Sequence, residues 1–230
     1  MIYAVGDIHG NFTLLCRIYD KILKHIETKN DPFGAKIIFL GDYIDRGKEN
    51  FKVIDFLNKL KDRNDIQHIF LYGNHEKMFI EAETDKKVMQ MWLENGGETF
   101  LKEIRINFNN PQHVFTTKEY NYIKKFIQTK TVLLYNDVDY TFVHGAFNKQ
   151  LPVNKQKEDF VIWGRMEPQY YDTHTKMVVH GHTPPKDLKP YKYNNVINID
   201  IGCGFRQRLC AVALPHIRND EEIEFIIHEI

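Results

Sequence analysis

The chain has 230 residues, 43% of them hydrophobic and 27% charged, with Lys+Arg and Asp+Glu balanced at 31 each. That length supports one sizeable core, and residues 1–230 read as a single domain. The zero formal charge excludes bulk attraction to nucleic acid or to an acidic membrane, so any anion specificity must be local.

In chain order, residues 1–5 (MIYAV) predict a short apolar strand that ends in 6–10 (GDIHG). Asn11 is a candidate cap for a helix with Leu14, Leu15, Ile18, Ile22 and Ile26 on its apolar face. A turn at 30–34 leads to strand 36–40 (KIIFL), which runs into 41–47 (GDYIDRG). A second amphipathic helix is expected over 49–61, with Phe51, Ile54, Leu57 and Leu60 inward. Strand 66–72 then ends in 73–76 (GNHE). The β-α-β-α-β order predicts an α/β fold with parallel strands at its centre.

Residues 77–130 are charged and helical in pattern. They read as a helical insertion over one edge of a site, since so short a stretch buries no core of its own. Its basic and aromatic run 120–125 reads as an amphipathic helix with a solvated face, not as a strong nucleic-acid signal. Strands return at 131–135 and 139–143, flanking a turn at Asn136-Asp137, and the second ends in His144-Gly145. Residues 152–159 read as a polar surface loop, and 161–165 (VIWGR) as a short apolar run that turns at Gly164. Strand 176–179 ends in His180-Gly181-His182-Thr183-Pro184, and 196–201 ends at Gly202. Segments 209–214 and 223–228 form a closing antiparallel pair.

The cysteines Cys16, Cys203 and Cys210 fit neither a zinc knuckle nor a disulfide framework, and Cys203 reads as a small buried residue. Residues 1–5 are too short for the core of a signal peptide, and no apolar run reaches membrane-spanning length. A cytoplasmic protein with no membrane partner is the expectation.

Strand ends present Asp7 with His9, Asp42, Asn74, His144 and His182. Ligands delivered from the carboxyl ends of adjacent strands meet in one crevice. Carboxylate, imidazole and amide oxygen without cysteine suit Mn²⁺, Fe or Zn²⁺ rather than a structural zinc site. These residues are too many for one tetrahedral ion and suit two ions sharing a carboxylate, for which Asp42 is the candidate. His180 and His182 share strand parity, so both can reach that face. Arg206 and Arg208 follow strand 196–201 near the rim and read as a solvated loop.

GDIHG, GDYIDRG and GNHE, with the later FVHG and GHTP, together resemble the metallophosphoesterases. More narrowly they resemble the phosphoprotein phosphatase family, and 92–97 (WLENGG) and 161–165 (VIWGR) are similar to its small bacterial and phage members, which include lambda phosphatase. The resemblance implies a calcineurin-like fold, a central β-sandwich of mixed sheets flanked by helices. It implies one metal on Asp7, His9 and Asp42, and a second on Asp42, Asn74, His144 and His182, with Mn²⁺ the expected ion. It favours His182 over His180. Arg46 and Arg165 would hold the phosphate, and His75, oriented by Asp45, would be the general acid.

These roles are chemically coherent. Two ions about 3.5–4 Å apart lower the pKa of a shared water from 15.7 toward about 7. Arginine's fork matches two phosphate oxygens, and an imidazolium held by a carboxylate can protonate a poor leaving group. The expected function is a serine/threonine protein phosphatase. The alternatives use the same chemistry on symmetrical dinucleoside tetraphosphates, on RNA or DNA ends, or on cyclic phosphodiesters. The partner is thus a phosphoprotein or a phosphorylated small molecule or nucleotide. A binding module that recognises phosphate without turnover would be expected to lack a ligand or the acid, and all are present. Chain length and a short C-terminal part favour the phage-type phosphatases among these.

Overall fold

Alternation along the strands builds the layers of the structure, a computed structural model that describes residues 1–29, 31–60, 65–167 and 176–230. In β1 (Ile2–Val5) every residue is buried. Ile2 and Ala4 face one apolar layer, and Tyr3 and Val5 face another. β2 (Ala35–Phe39) repeats the pattern, with Ile38 on the first side and Ile37 and Phe39 on the second. Strands covered on both faces read as continuous apolar runs, which is why 1–5 and 36–40 carry so little polarity.

The first sheet continues with β3 (Ile66–Leu71) and β4 (Thr131–Val132), all in parallel with β1 and β2. On the far side of β1 lie β10 (Arg208–Leu214) and β11 (Glu224–Glu229), both antiparallel to their neighbours. The strand order is β11-β10-β1-β2-β3-β4. A second sheet is built from β5 (Leu134–Asn136), β6 (Tyr140–Val143), β7 (Met177–His180), β8 (Tyr191–Tyr193) and β9 (Val196–Asn198), in the order β5-β6-β7-β9-β8. It too is mixed: β6–β7 and β7–β9 are parallel, β5–β6 and β8–β9 antiparallel.

Ile2, Ala4, Ile38 and Leu71 meet Phe142, Val179 and Ile197 between the sheets. The outer face of the first sheet is covered by α1 (Phe12–Lys29) and α2 (Asn50–Lys59) through Leu14, Ile18, Val53 and Ile54. The outer face of the second carries α7 (Glu158–Trp163) through Val161 and Ile162. A sandwich of mixed sheets flanked by helices is thus what the chain forms. Among the described residues no helix is long and apolar enough to cross a membrane.

Residues 77–130 hold most of α3 (Asn74–Glu81), then α4 (Lys86–Trp92), a π-turn over Leu93–Gly97, α5 (Glu98–Glu103), a 3₁₀ turn at Pro111–Thr116 and α6 (Lys118–Lys130). Trp92, Phe100, Leu101, Tyr120 and Phe126 join the same apolar cluster as Tyr3, Ile37 and Phe39. The insertion therefore shares the core of the first sheet. In α6, Tyr120 and Ile123 are buried while Lys124 pairs with Glu83, as an amphipathic helix requires.

Several predicted elements differ. The run 131–135 is two strands: Thr131 pairs with Phe70 in the first sheet, and Leu134 pairs with Val143 in the second. The chain changes sheets at Leu133, so the expected hairpin is only the second half. Its turn spans 137–139 rather than Asn136-Asp137, closed by the Asp137 N–H on the Tyr140 carbonyl at 2.8 Å. Residues 161–163 form the last turn of α7, which Gly164 ends. The predicted loop 152–159 contains a 3₁₀ turn, Val153–Lys155, and the start of that helix. The predicted turn at 30–34 and helix at 49–61 reach residues 30 and 61, which lie outside the described residues.

Candidate metal centre

The loops at the carboxyl ends of β1 and β2 are tied together through their backbones. The N–H groups of Ile8 and His9 donate to the Asp42 carbonyl at 3.0 and 2.9 Å, and Gly10 N–H donates to Tyr43 at 2.8 Å. His9, Asp42, Asp45, Arg46 and His182 all have positive φ, from 47° to 73°. Each such residue costs on the order of 1–3 kcal/mol unless its surroundings over-determine it.

Glu76 supplies part of that restraint. Its Oε2 accepts the N–H groups of Asp42 (2.8 Å) and Gly73 (3.0 Å), and its Oε1 accepts Tyr43 N–H (2.9 Å). Glu76 is the third residue of α3 and folds back over its start, a capping arrangement. Burial, with Asp42 nearby, raises its carboxyl to about 7. Gly73 has to be glycine here, because a Cβ would lie 2.3 Å from Asp42 Oδ1.

The Asp42 side chain divides its two oxygens between two sets of partners. Oδ1 lies 3.3 Å from His144 Nε2, while Oδ2 lies 3.6 Å from His9 Nε2 and 3.9 Å from His75 Nε2. The ligating atoms of His9, Asp42 and His75 form one compact group, and those of Asp42, His144 and His182 a second, each within 4.8 Å. Asp42 belongs to both.

The chemistry of these atoms calls for a cation. Carbonyls only accept, so His144 Nδ1 donates to Leu40 at 2.9 Å and His9 Nδ1 donates to Ile44 at 3.0 Å. That turns His144 Nε2 toward Asn74 Oδ1 at 2.9 Å and toward Asp42 Oδ1. Lone pairs in such an array repel unless a proton or a metal lies among them. Burial alone would lower His144, but Asp42, Asp7 and Glu76 push it up to about 10, so the pocket favours positive charge. His182, lowered to about 3 by burial and by His144, is neutral and keeps a lone pair for a ligand. Asp7, Asp42 and Asp45 in these loops, Glu76 in α3 and Asp200 after β9 are all buried, and buried carboxylates need paired charge or metal. Oxygen and imidazole donors without thiolate fit divalent ions such as Mn²⁺, Fe or Zn²⁺.

Asp7 stands outside both compact groups. Both its oxygens accept the His182 backbone N–H, at 3.2 and 3.1 Å, and burial together with Asp200 raises its carboxyl well above the usual range. His180 belongs to neither compact group: β7 ends on it, its Nδ1 donates to the Gly181 carbonyl at 3.0 Å, and its Nε2 is buried without a partner among the described residues. Cys203 is buried, with its thiol on the Ile8 carbonyl. Arg208 faces Glu229 at 2.9 Å, an ion pair without hydrogen-bond alignment.

Beside the two groups, His75 Nδ1 donates to Asp45 Oδ2 at 2.7 Å. Burial opposes the imidazolium, but Asp42 and Asp45 outweigh it and the pKa of His75 is raised. Asp45 is held from two further sides, by Trp92 Nε1–H at 3.0 and 3.1 Å and by its own N–H on Asn50. Trp92→Phe removes the indole N–H and, at a fully buried position, part of the ring that lies against Phe79 and Gly97. It is expected to lower kcat by about 10- to 100-fold. Stability should fall by about 3–5 kcal/mol, the lost bond to a charged group together with the cavity the smaller ring leaves. Steady-state kinetics and thermal unfolding of the same preparation check this.

Arg46 is held by the insertion as well. Its backbone N–H donates to Gly96, whose φ is 110° and whose Cβ, if present, would lie 2.7 Å from Arg46 Cγ. Arg46 Nη1 donates to His9 Nε2 at 2.8 Å, and its guanidinium lies 4.5 Å from the centre of the Phe205 ring. Arg165 is exposed, in the segment after α7, close enough to His182 to depress its pKa. The sequence reading assigned no part to Glu76, Trp92, Asn50 or Phe205. Glu76 had a readable signal, an acidic residue three positions into a helix. Trp92 stands in the stretch 92–97 that carries the family resemblance, which gives it no role; Phe205 has no signal, since it meets Arg46 from far away in the chain.

A mixed-sheet sandwich with two groups of potential metal ligands sharing one carboxylate defines a metal-dependent phosphoesterase architecture. Residues 1–208 match the Calcineurin-like phosphoesterase family, and the chain belongs to it. The asymmetrical bis(5'-nucleosyl)-tetraphosphatase PrpE of Oceanobacillus iheyensis is 26% identical over 231 residues, 93% of this chain and 88% of that protein. The serine/threonine-protein phosphatase PP1-delta of Caenorhabditis elegans is 37% identical over only 75 residues, 33% of this chain and 22% of that one. The cold-active protein-tyrosine phosphatase of a psychrophilic Shewanella has a similar fold, with a TM-score of 0.62 at 17% identity over 97% of this chain and 79% of that structure.

Proposed function

We propose that the chain is a dinuclear metal-dependent hydrolase of dinucleoside tetraphosphates. The observation that carries this is the extent of likeness to the tetraphosphatase, end to end in both proteins, against a third of the chain for the serine/threonine phosphatase. The expectation from sequence put protein phosphatase first and symmetrical cleavage second. Asymmetrical cleavage is proposed instead, following the name of that relative.

Asp7, His9 and Asp42 would hold one divalent ion, with His9 Nε2 giving up its bond from Arg46 to do so, and Asp42, Asn74, His144 and His182 the other, with Mn²⁺ the first candidate. When bound, the ions supply an activated water and neutralise charge at the phosphoryl oxygens. Asp42 orients both groups of ligands, and Glu76 fixes the backbone of Asp42. Arg46 and Arg165 grip the phosphate with planar donors. His75 carries a proton at Nε2, with Nδ1 locked on Asp45, and delivers it to the leaving oxygen. The chain 1–230 serves as one catalytic unit, since the insertion positions Asp45 and Arg46.

A protein phosphatase remains the second reading, favoured by the 37% identity of that shorter stretch. The metal-loaded protein should be assayed side by side on diadenosine tetraphosphate and a phosphoserine peptide. The proposal expects kcat/KM at least about tenfold higher on the nucleotide, with products of unequal phosphate number. Preference for the peptide, or two equal nucleoside diphosphates, contradicts it.

A further inference from the structure

We infer that a cavity behind Arg46 is the subsite for the nucleoside polyphosphate arm of the substrate, with Phe205 as its stacking platform and Lys48 and Arg206 as its phosphate contacts. The inference rests on the nucleotide reading above and names residues which that reading leaves out. The cavity measures 560 Å³, between the start of α1 and the loop before β10. Small-molecule sites commonly run about 300–1,000 Å³.

Arg46 is the wall shared with the metal centre. Its Nη1 donates to His9 Nε2, and its guanidinium carbon lies 4.5 Å from the centre of the Phe205 ring. A phosphoryl group gripped by Arg46 therefore has this cavity beside it. Phe205 is 67% exposed although it sits next to a buried site. The Arg46 guanidinium lies over the ring, and the exposure of Phe205 leaves ring surface for a base. An aromatic face accepts any base, and a guanidinium behind it adds a cation–π contribution.

The charges on the wall favour an anion. Lys48 and Arg206 are exposed and, among the described residues, neither side chain is in an ion pair or hydrogen bond. Against Arg46, Lys48 and Arg206 the wall has Glu49, which is paired with Lys52 at 2.7 Å, and the terminal carboxylate of Ile230. Unpaired cations flanking an exposed ring match a ligand with phosphates at one end and a base at the other. A phosphoserine peptide offers one phosphate and no base for Phe205.

The test is equilibrium binding by calorimetry to the metal-loaded protein, with ATP, tripolyphosphate and a phosphoserine peptide as probes. In the double variant Lys48→Ala/Arg206→Ala, ATP and tripolyphosphate should both bind about tenfold more weakly. In Phe205→Leu, ATP should lose about tenfold, as for one stacked base, and tripolyphosphate much less. The tripolyphosphate arm also reports any disturbance of Arg46. The subsite is refuted if ATP fails to bind the wild type, or binds both variants as it binds the wild type. It is refuted equally if the peptide loses affinity in the variants and ATP does not. ATP binding through these residues without turnover of diadenosine tetraphosphate would refute the proposed function and leave the subsite. Turnover with unchanged ATP affinity in the variants would do the reverse.

Discussion

Asp42→Asn is expected to empty the centre of both metal ions and to lower turnover by about 10³-fold or more, with the fold intact. The two carboxylate oxygens face different partners, Oδ1 toward His144 and Oδ2 toward His9 and His75. An amide presents one oxygen and one NH₂, so it can serve one group of ligands and repels a cation at the other. Burial would raise the Asp42 carboxyl, yet His144 and His75 beside it hold it well below its usual value. Asn is the right substitution because φ at this position is 50° and Asn tolerates that region. The backbone bonds that Asp42 makes to Glu76, Ile8 and His9 do not involve the carboxylate. Metal analysis and circular dichroism on one preparation check the result. A variant that keeps its metals and most of its turnover removes Asp42 as the bridge.

His75→Gln separates two readings of one residue. His75 lies within one compact group of possible ligands, yet its Nδ1 is committed to Asp45. If it is the acid, the metals stay, and the loss follows the leaving group. Phenyl phosphate, whose phenolate needs a proton, should lose about 10²–10⁴-fold in kcat. p-Nitrophenyl phosphate, with a much better leaving group, should lose far less. If His75 is a ligand, metal content falls and both substrates suffer alike. Diadenosine tetraphosphate should resemble p-nitrophenyl phosphate here, because a nucleotide leaves as a stabilised phosphate anion.

Local pattern made the strands of the first sheet legible, because 1–5 and 36–40 are buried on both faces. The change of sheets at Leu133 was not, because it takes a single-residue bend between two extended stretches, and no glycine or proline marks which neighbour each half finds. β8 went unseen for the opposite reason: Tyr191–Tyr193 is an edge strand, half-buried at best, with no alternation to read. The run at 161–163 was too short to separate strand from helix, and the acidic first turn at Glu158 and Asp159 suits a helix start.

The loops of the centre were legible because each follows an apolar strand and is crowded with glycine and ligand-type residues. Parity failed to order His180 and His182, since β7 ends at His180 and His182 turns at a φ of 66° beyond it. The resemblance marks the stretch that holds Trp92 but not what Trp92 does, and nothing in the sequence marks Phe205. What they do depends on Asp45 and Arg46 being brought to them by packing across the sheet and the insertion.

The most direct measurement is anomalous X-ray diffraction from crystals soaked in Mn²⁺. Two peaks about 3.5–4 Å apart, one on each side of the Asp42 carboxylate, are the predicted result. A single peak, or manganese bound away from Asp42, would contradict a dinuclear centre built on that residue.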